Sequence, residues 1–250
     1  MRTDWIGIGV ASDPDRVIRS ILQFPNPEQI ICYTTKQIAL EHSFPTRVII
    51  DSEPGHRMIA DLISGDLSAA VRGTLPSHTT LSVLKKGCDV SELERIVLLE
   101  TGTGKKFFLA PVGVDEGWTL DQKISLIQRG RIIARRFGLS DLVGIISGGR
   151  LSDIGRHPVV DRTLADAELV AKITGASHFE IRLEDAIRDC GLIIAPDGIS
   201  GNLIFRTLLF VGKGAAHGAP VVNIDKIFVD TSRVNPNYSN ALILADSMIT

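Results

Sequence analysis

Short apolar runs alternate along the chain with longer stretches whose apolar residues recur every three or four positions. Ile6-Gly-Ile-Gly-Val-Ala11 reads as a strand, and Asp13-Pro14 opens a helix with Asp13 as N-cap and Val17, Ile18, Ile21 and Leu22 as its buried stripe. Strands are predicted over 29–34 and 47–51, and a helix carrying Met58, Ile59, Leu62 and Ile63 ends near Gly65. A strand over 68–72, a helix over 79–86 and a strand over 95–100 follow. Further on, the pattern predicts strands over 106–112, 141–146 and 191–195, and helices over 120–137, 157–174 and 201–211. Short strands over 221–224 and 226–229 precede a closing helix over 240–249.

Strands alternating with helices of this length imply βαβ units and a mostly parallel sheet, the α/β class. Uninterrupted runs such as Leu192-Ile-Ile194 suit strands covered on both faces. A boundary between two lobes is expected near 100–106, where a strand ends and Thr101-Gly-Thr-Gly-Lys105 intervenes.

Composition narrows the function classes. Of the 250 residues 44% are hydrophobic and 22% charged, so a disordered chain is excluded. Lys and Arg number 27 against 29 Asp and Glu, and aromatics make up 5%, so neither a basic surface nor a stacking platform for nucleic acid is offered. No apolar run reaches the roughly 18 residues of a membrane span, and the N-terminal run lacks the flanks of a signal peptide; a cytoplasmic protein without nucleic-acid or membrane partners is expected. The three cysteines lie far apart and the six histidines form no His-x-His or His-x-x-x-His pair, so no metal site is expected.

Four segments carry candidate chemistry, each where a strand hands over to a helix or loop, the place open α/β sheets keep for ligands. Arg72-Gly73-Thr74 precedes Ser77, Thr79 and Thr80 near a helix start, which suits either an anion or a plain N-cap behind a glycine turn. Ser147-Gly148-Gly149-Arg150 lets a ligand approach the backbone and offers a guanidinium that forks two bonds to a phosphate, although small loops of this kind are common. Asp197 is either the cap of the next helix or a ligand contact, with Gly201 and Asn202 beside it. Asp230-Thr231-Ser232-Arg233 sets a hydroxyl beside a guanidinium, which serves an oxyanion or a capped turn equally well. Two tempting motifs fail. Gly102-Thr-Gly-Lys105 lacks the first glycine of a phosphate-binding loop, Leu99 standing there, and Gly7-Ile-Gly9 lacks the third glycine of a dinucleotide fingerprint.

In order along the chain, these segments resemble the phosphate acetyl/butyryltransferase superfamily. Pro196-Asp197 followed by Gly201-Asn202 and an apolar helix, Gly218-Ala-Pro220, and Asp230-Thr-Ser232-Arg233 are similar to that family's C-terminal motifs, and Arg72-Gly73-Thr74 to Thr80 to its upstream loop. Within it, Glu180-Ile-Arg-Leu-Glu-Asp-Ala186 and the short length resemble the archaeal methanogenesis marker protein 4 group of methyltransferase-related proteins. The resemblance implies a two-lobed, three-layer αβα fold of the isocitrate/isopropylmalate-dehydrogenase type. Residues 1–100 with 224–250 would form the first lobe and 101–223 the second, with the active cleft between them. It implies a phosphate-bearing small molecule as ligand, a coenzyme A-like thiol as cofactor, a homodimer and a methyltransferase partner. Ser232 and Arg233 would be catalytic, serving acyl phosphate and thiol; Arg72, Gly73, Thr74, Ser147, Gly148, Gly149, Arg150, Asp197, Gly201 and Asn202 would line the ligand. The family's thiol-deprotonating Asp lies seven residues after its Ser, and Ser239 occupies that position here. Two functions follow: a group-transfer enzyme, or an accessory binding protein that keeps the anion site without the transfer.

Overall fold

The computed structural model describes residues 4–233 and 235–249. The chain divides into two compact units, Met1–Leu93 with His217–Thr250, and Glu94–Ala216. Through the first unit run β1 (Ile6–Gly9), α1 (Pro14–Leu22), β2 (Ile30–Thr34), α2 (Lys36–Glu41), β3 (Arg47–Ile50), α3 (Pro54–Ser64), β4 (Ala69–Val71) and α4 (Ser77–Gly87). The second contains β5 (Val97–Glu100), β6 (Lys106–Ala110), α5 (Leu120–Arg136), β7 (Val143–Ile145), α6 (Pro158–Thr174), β8 (Ser177–His178), α7 (Leu183–Asp189), β9 (Leu192–Ile194), α8 (Gly198–Phe210) and β10 (Ala215–Ala216). The chain then returns to the first unit with β11 (Ala219–Pro220), β12 (Ile227–Asp230) and α9 (Ser239–Ser247).

Each unit is an αβα layering around a six-stranded, mostly parallel sheet, the first ordered β11-β12-β4-β1-β2-β3 and the second β10-β5-β6-β9-β7-β8. In the first, only the β11–β12 pair is antiparallel. β4 lies between β1 and β12, with Ala69, Ala70 and Val71 opposite Ile6–Ile8 on one side and Ile227–Val229 on the other. Small residues on β4 leave room for Tyr33, Met58, Leu62 and Phe228, which are buried in the core of this unit. In the second, β6, β9, β7 and β8 run parallel and β10 and β5 close one edge antiparallel. Leu192, Ile193 and Ile194 are wholly buried, as the unbroken apolar run requires.

Helices α1, α5, α6 and α8 start at side-chain caps. Asp13 accepts from the Arg16 N–H at 3.3 Å in a left-handed conformation that Asp tolerates, and Thr119 and Gln122 form a capping box on α5. Gly65 and Gly175 end α3 and α6 at positive φ.

The lobe boundaries move. Residues 101–105 are the turn of a β5–β6 hairpin, with the Thr101 N–H on the Lys105 carbonyl at 2.9 Å, so the strand assigned to the first lobe belongs to the second sheet. The chain crosses between units after Leu93 rather than near 100, and returns after Ala216 rather than near 223, because β11 pairs with β12. The strand expected over 221–224 reduces to a single bridge at Val221, since the Asn223 amide turns to the Glu92 carbonyl at 2.9 Å. Helices α2 and α7 and the short strand β8 carry too little periodicity to be read from the chain.

Candidate functional site

The predicted residues gather into two sets, one at the strand exits of each sheet. In the first unit, β4 and β12 are neighbours and their exits are fastened by Arg72. Its guanidinium is buried and donates to the Asp230 carboxylate, to the Leu75 carbonyl at 2.7 Å and to the Thr231 carbonyl. Arg72 is therefore the internal tie of the loops rather than a cation held out to a ligand. Thr74, also buried, accepts from the Ala11 and Ser12 N–H groups at 2.9 and 3.1 Å, which fixes the turn leaving β1. Thr231 donates its hydroxyl to the Gly73 carbonyl at 3.0 Å. Gly73 has φ 60, and a Cβ there would lie 2.1 Å from the Gly9 carbonyl oxygen, so only glycine allows the β1 and β4 exits to approach this closely.

The Ser232-Arg233 turn is built from behind. Arg16 on α1 donates to the Arg233 carbonyl at 2.9 Å and to the Asn235 carbonyl at 3.0 Å, and the Tyr238 hydroxyl lies 3.3 Å from the carbonyls of Ser232 and Arg233. Arg16 also stands over the Tyr238 ring, and Ser20 receives the Tyr238 N–H at 3.0 Å. The backbone of the turn is thus tied down, while the Arg233 side chain is exposed and makes no ion pair with a described residue. Ser239 is buried at the first position of α9, where its N–H meets the Asn237 side chain at 2.6 Å.

In the second unit the exits of β7 and β9 are adjacent. Ser147 is buried, its hydroxyl 3.0 Å from the Gly149 carbonyl and 2.9 Å from His178 Nε2. The Gly148 N–H donates to Thr163 Oγ1 at 2.9 Å, and the Arg150 N–H to Asp153 Oδ2 at 2.9 Å. That hydrogen bond and the one from Arg156 hold the Asp153 carboxyl below the usual range, while the Arg150 side chain is exposed. Asp197 caps α8, accepting from the Ser200 N–H at 2.8 Å. Gly201 packs against backbone, a Cβ there falling 1.9 Å from the Pro111 carbonyl oxygen, and the Asn202 amide donates to the Val112 carbonyl at 3.1 Å. The Gly-Asn pair therefore seats α8 on the loop that leaves β6.

Several residues of these exits escaped the sequence reading. Lys123, in the first turn of α5, is buried with Asp166 Oδ2 3.8 Å away; burial lowers its pKa, and Asp166 and Asp197 oppose that shift. His178, Glu168, Arg16 and Tyr238 are the others, brought in by long-range packing that no local motif announces. Among the described residues no cluster of three His, Cys, Asp or Glu side chains is placed to hold a metal ion, and no helix is long and apolar enough to cross a membrane.

Two αβα units, each around a six-stranded and mostly parallel sheet, have the fold of the phosphotransacylases. A branched-chain phosphotransacylase from Enterococcus faecalis superposes with a TM-score of 0.72 at 17% identity, covering 98% of this chain and 100% of its own. The phosphotransacetylase EutD from Staphylococcus aureus gives 0.69 at 11% identity over 99% and 95% of the two chains. A β-decarboxylating dehydrogenase from Thermococcus kodakarensis gives 0.54 at 12% identity over 98% and 83%, placing the fold in the isocitrate/isopropylmalate-dehydrogenase type. No family model matches the chain. By sequence, the protein named methyltransferase mtx subunit X from Methanosarcina mazei is 46% identical over 209 residues, covering 80% of this chain and 74% of its own. An uncharacterized methyltransferase from Methanocaldococcus jannaschii is 33% identical over 200 residues, covering 74% and 81%. The chain belongs to the methyltransferase mtx subunit X family.

Proposed function

We propose that this protein is a transferase-like member of the phosphotransacylase fold that binds a phosphate-bearing small molecule through the Ser232-Arg233 turn and serves methyl-transfer metabolism in methanogens. The observation that carries this reading is the construction of the turn: Arg16 and Tyr238 hold its carbonyls, and Arg233 is left exposed and unpaired with described residues. An arginine so placed offers a phosphate two parallel charge-assisted hydrogen bonds without first breaking an internal ion pair. Ser232 stands next to it, and the Gly73 turn is tied to the same exit through Thr231. The second unit carries exits of its own, where Gly148, Gly149 and the exposed Arg150 would meet a phosphate and Asp197, Gly201 and Asn202 shape the neighbouring exit.

A second reading, an accessory binding protein without phosphotransacylase activity, is favoured by Ser239. A thiol of pKa about 8.5 is only a few per cent ionised near neutral pH, and a positioned base typically contributes roughly a hundred- to ten-thousand-fold. A serine hydroxyl does not supply that base, and no Asp or Glu lies between Asp230 and Asp246. Transfer of an acyl group from phosphate to coenzyme A is therefore expected to be slow or absent. The names of the relatives support a methyltransferase partner. An exposed stripe on α8, Ile199, Leu203 and Phe210, supports a homodimer.

The test is phosphate and acetyl-phosphate binding by calorimetry in the wild type and Arg233→Ala. Loss of a charge-assisted contact worth about 1.5–3 kcal/mol weakens binding some ten- to hundred-fold; equal binding by both proteins sinks the site. Robust phosphotransacetylase turnover by the wild type removes the accessory reading, and a gain in turnover from Ser239→Asp supports a site that lacks only its base.

A further inference from the structure

In the second unit three side chains from three elements form one hydrogen-bonded line. Ser147, at the exit of β7, has its hydroxyl 2.9 Å from Nε2 of His178 on β8, and Nδ1 of the same ring is 2.7 Å from Oε1 of Glu168 on α6. The Ser147 backbone N–H is fixed to the Glu180 carbonyl at 2.8 Å, so the residue has little freedom to leave the line. With a proton on Nδ1 donated to Glu168, the lone pair of Nε2 faces the Ser147 hydroxyl, whose single proton then has two acceptors, Nε2 and the Gly149 carbonyl at 3.0 Å. His178 is 5% exposed at its side chain and Glu168 is 55% exposed, so the imidazole works in a dry setting with its carboxylate reaching water.

This is the connectivity of an activated serine: carboxylate on one ring nitrogen, hydroxyl on the other. We propose that Ser147 is a nucleophile, activated by His178 and Glu168, toward activated acyl compounds such as acyl phosphates and thioesters. The Ser147 Oγ–carbon bond forms as the bond from the carbonyl carbon to phosphate or thiolate breaks. The hydroxyl proton passes to His178 Nε2 and on to the leaving group. Water then attacks the acyl-serine, His178 takes its proton, and the carboxylic acid departs as Ser147 recovers its own. His178 is the base and Glu168 a positioning residue that orients the ring and stabilises its protonated form. Ser147 itself is 1% exposed, and the neighbour that meets solvent is Gly148, which brings no side chain. This centre lies on the second unit and stands apart from the Ser232-Arg233 reading.

The experiment uses a small electrophile, diisopropyl fluorophosphate, and peptide mass spectrometry of the full chain. Attack by Ser147 forms a phosphorus–oxygen bond and releases fluoride and the proton. One adduct on Ser147 is expected, with none at this position in Ser147→Ala. His178→Ala is expected to slow labelling by about 10²–10⁴-fold, the range of a lost general base. Glu168→Gln, on the half-exposed face of α6, should slow it as well while leaving the circular dichroism and melting unchanged. No adduct on Ser147 in the wild type, or a labelling rate unaltered in natively folded Glu168→Gln and His178→Ala, overturns the proposal and leaves the line as a brace between β7, β8 and α6.

Discussion

The loops leaving β4 and β12 in the first unit are joined through one buried guanidinium, whereas those leaving β7 and β9 in the second are held by close backbone approach at Gly201, a helix cap at Asp197 and the Ser147–His178 hydrogen bond. Both arrangements satisfy the polar groups that strand exits expose. They differ in how they fail. A buried charge pair concentrates its contribution in two side chains, so removing one leaves the other desolvated. Backbone packing spreads the contribution over van der Waals contacts and is sensitive to added volume instead. The difference separates Arg72 from Arg233: the first is part of the frame, the second is presented by it.

The largest effect is expected from Arg72→Met. It leaves the buried Asp230 carboxylate without its guanidinium and the Leu75 and Thr231 carbonyls without a donor. Losing one partner of a buried pair costs about 3–5 kcal/mol. Urea unfolding should show this loss, while Arg233→Ala leaves unfolding unchanged. A loss below about 1 kcal/mol in Arg72→Met would remove the contrast between the two arginines.

Next come the glycines. Gly73→Ala meets the Gly9 carbonyl in a left-handed backbone, and Gly201→Ala meets the Pro111 carbonyl. Overpacking alone costs about 1–3 kcal/mol, and a side chain at positive φ adds about 1–2 kcal/mol. Gly73→Ala should therefore melt below Gly201→Ala, and both below the wild type. The reverse order would show that the second unit's packing is the tighter of the two.

What the chain made legible was local. The run Leu192-Ile-Ile194, the Asp13-Pro14 helix start and Gly65 at the end of α3 act within a few residues of themselves, and each appears where the pattern places it, whereas α8 begins at Gly198, directly after its cap Asp197, three residues before the expected start. The boundary between units was misread because Arg95 to Glu100 looks the same whether its partner strand precedes or follows it. Only the antiparallel register of β5 with β6 decides. The role of Arg72 was hidden for a similar reason: its partner Asp230 is 158 positions away, and parallel pairing of β4 with β12 brings them together. His178 and Glu168 meet Ser147 through the β7–β8 pairing and the packing of α6, neither of which leaves a motif.

The smallest effect separates two jobs of Asp197 in the second unit. Its carboxylate caps α8, and its charge supports the buried ammonium of Lys123. Asn caps nearly as well as Asp, so Asp197→Asn should keep the cap and lose only the charge, whereas Asp197→Ala loses both, the cap being worth about 1 kcal/mol. Burial already holds the Lys123 pKa below its ordinary value of 10.5 in the folded state. Between that lowered value and the unfolded one the unfolded chain binds more protons, so stability rises with pH through this window. Removing the Asp197 charge lowers the folded value further, and the rise begins at lower pH. Asp197→Asn should therefore be less stable than the wild type at neutral pH and converge on it as pH climbs toward about 10. Asp197→Ala should remain below both throughout. Urea unfolding of the three proteins across that range checks it. If Asp197→Asn tracks the wild type at every pH, Asp197 is a cap alone, and Lys123 relies on Asp166 for its charge.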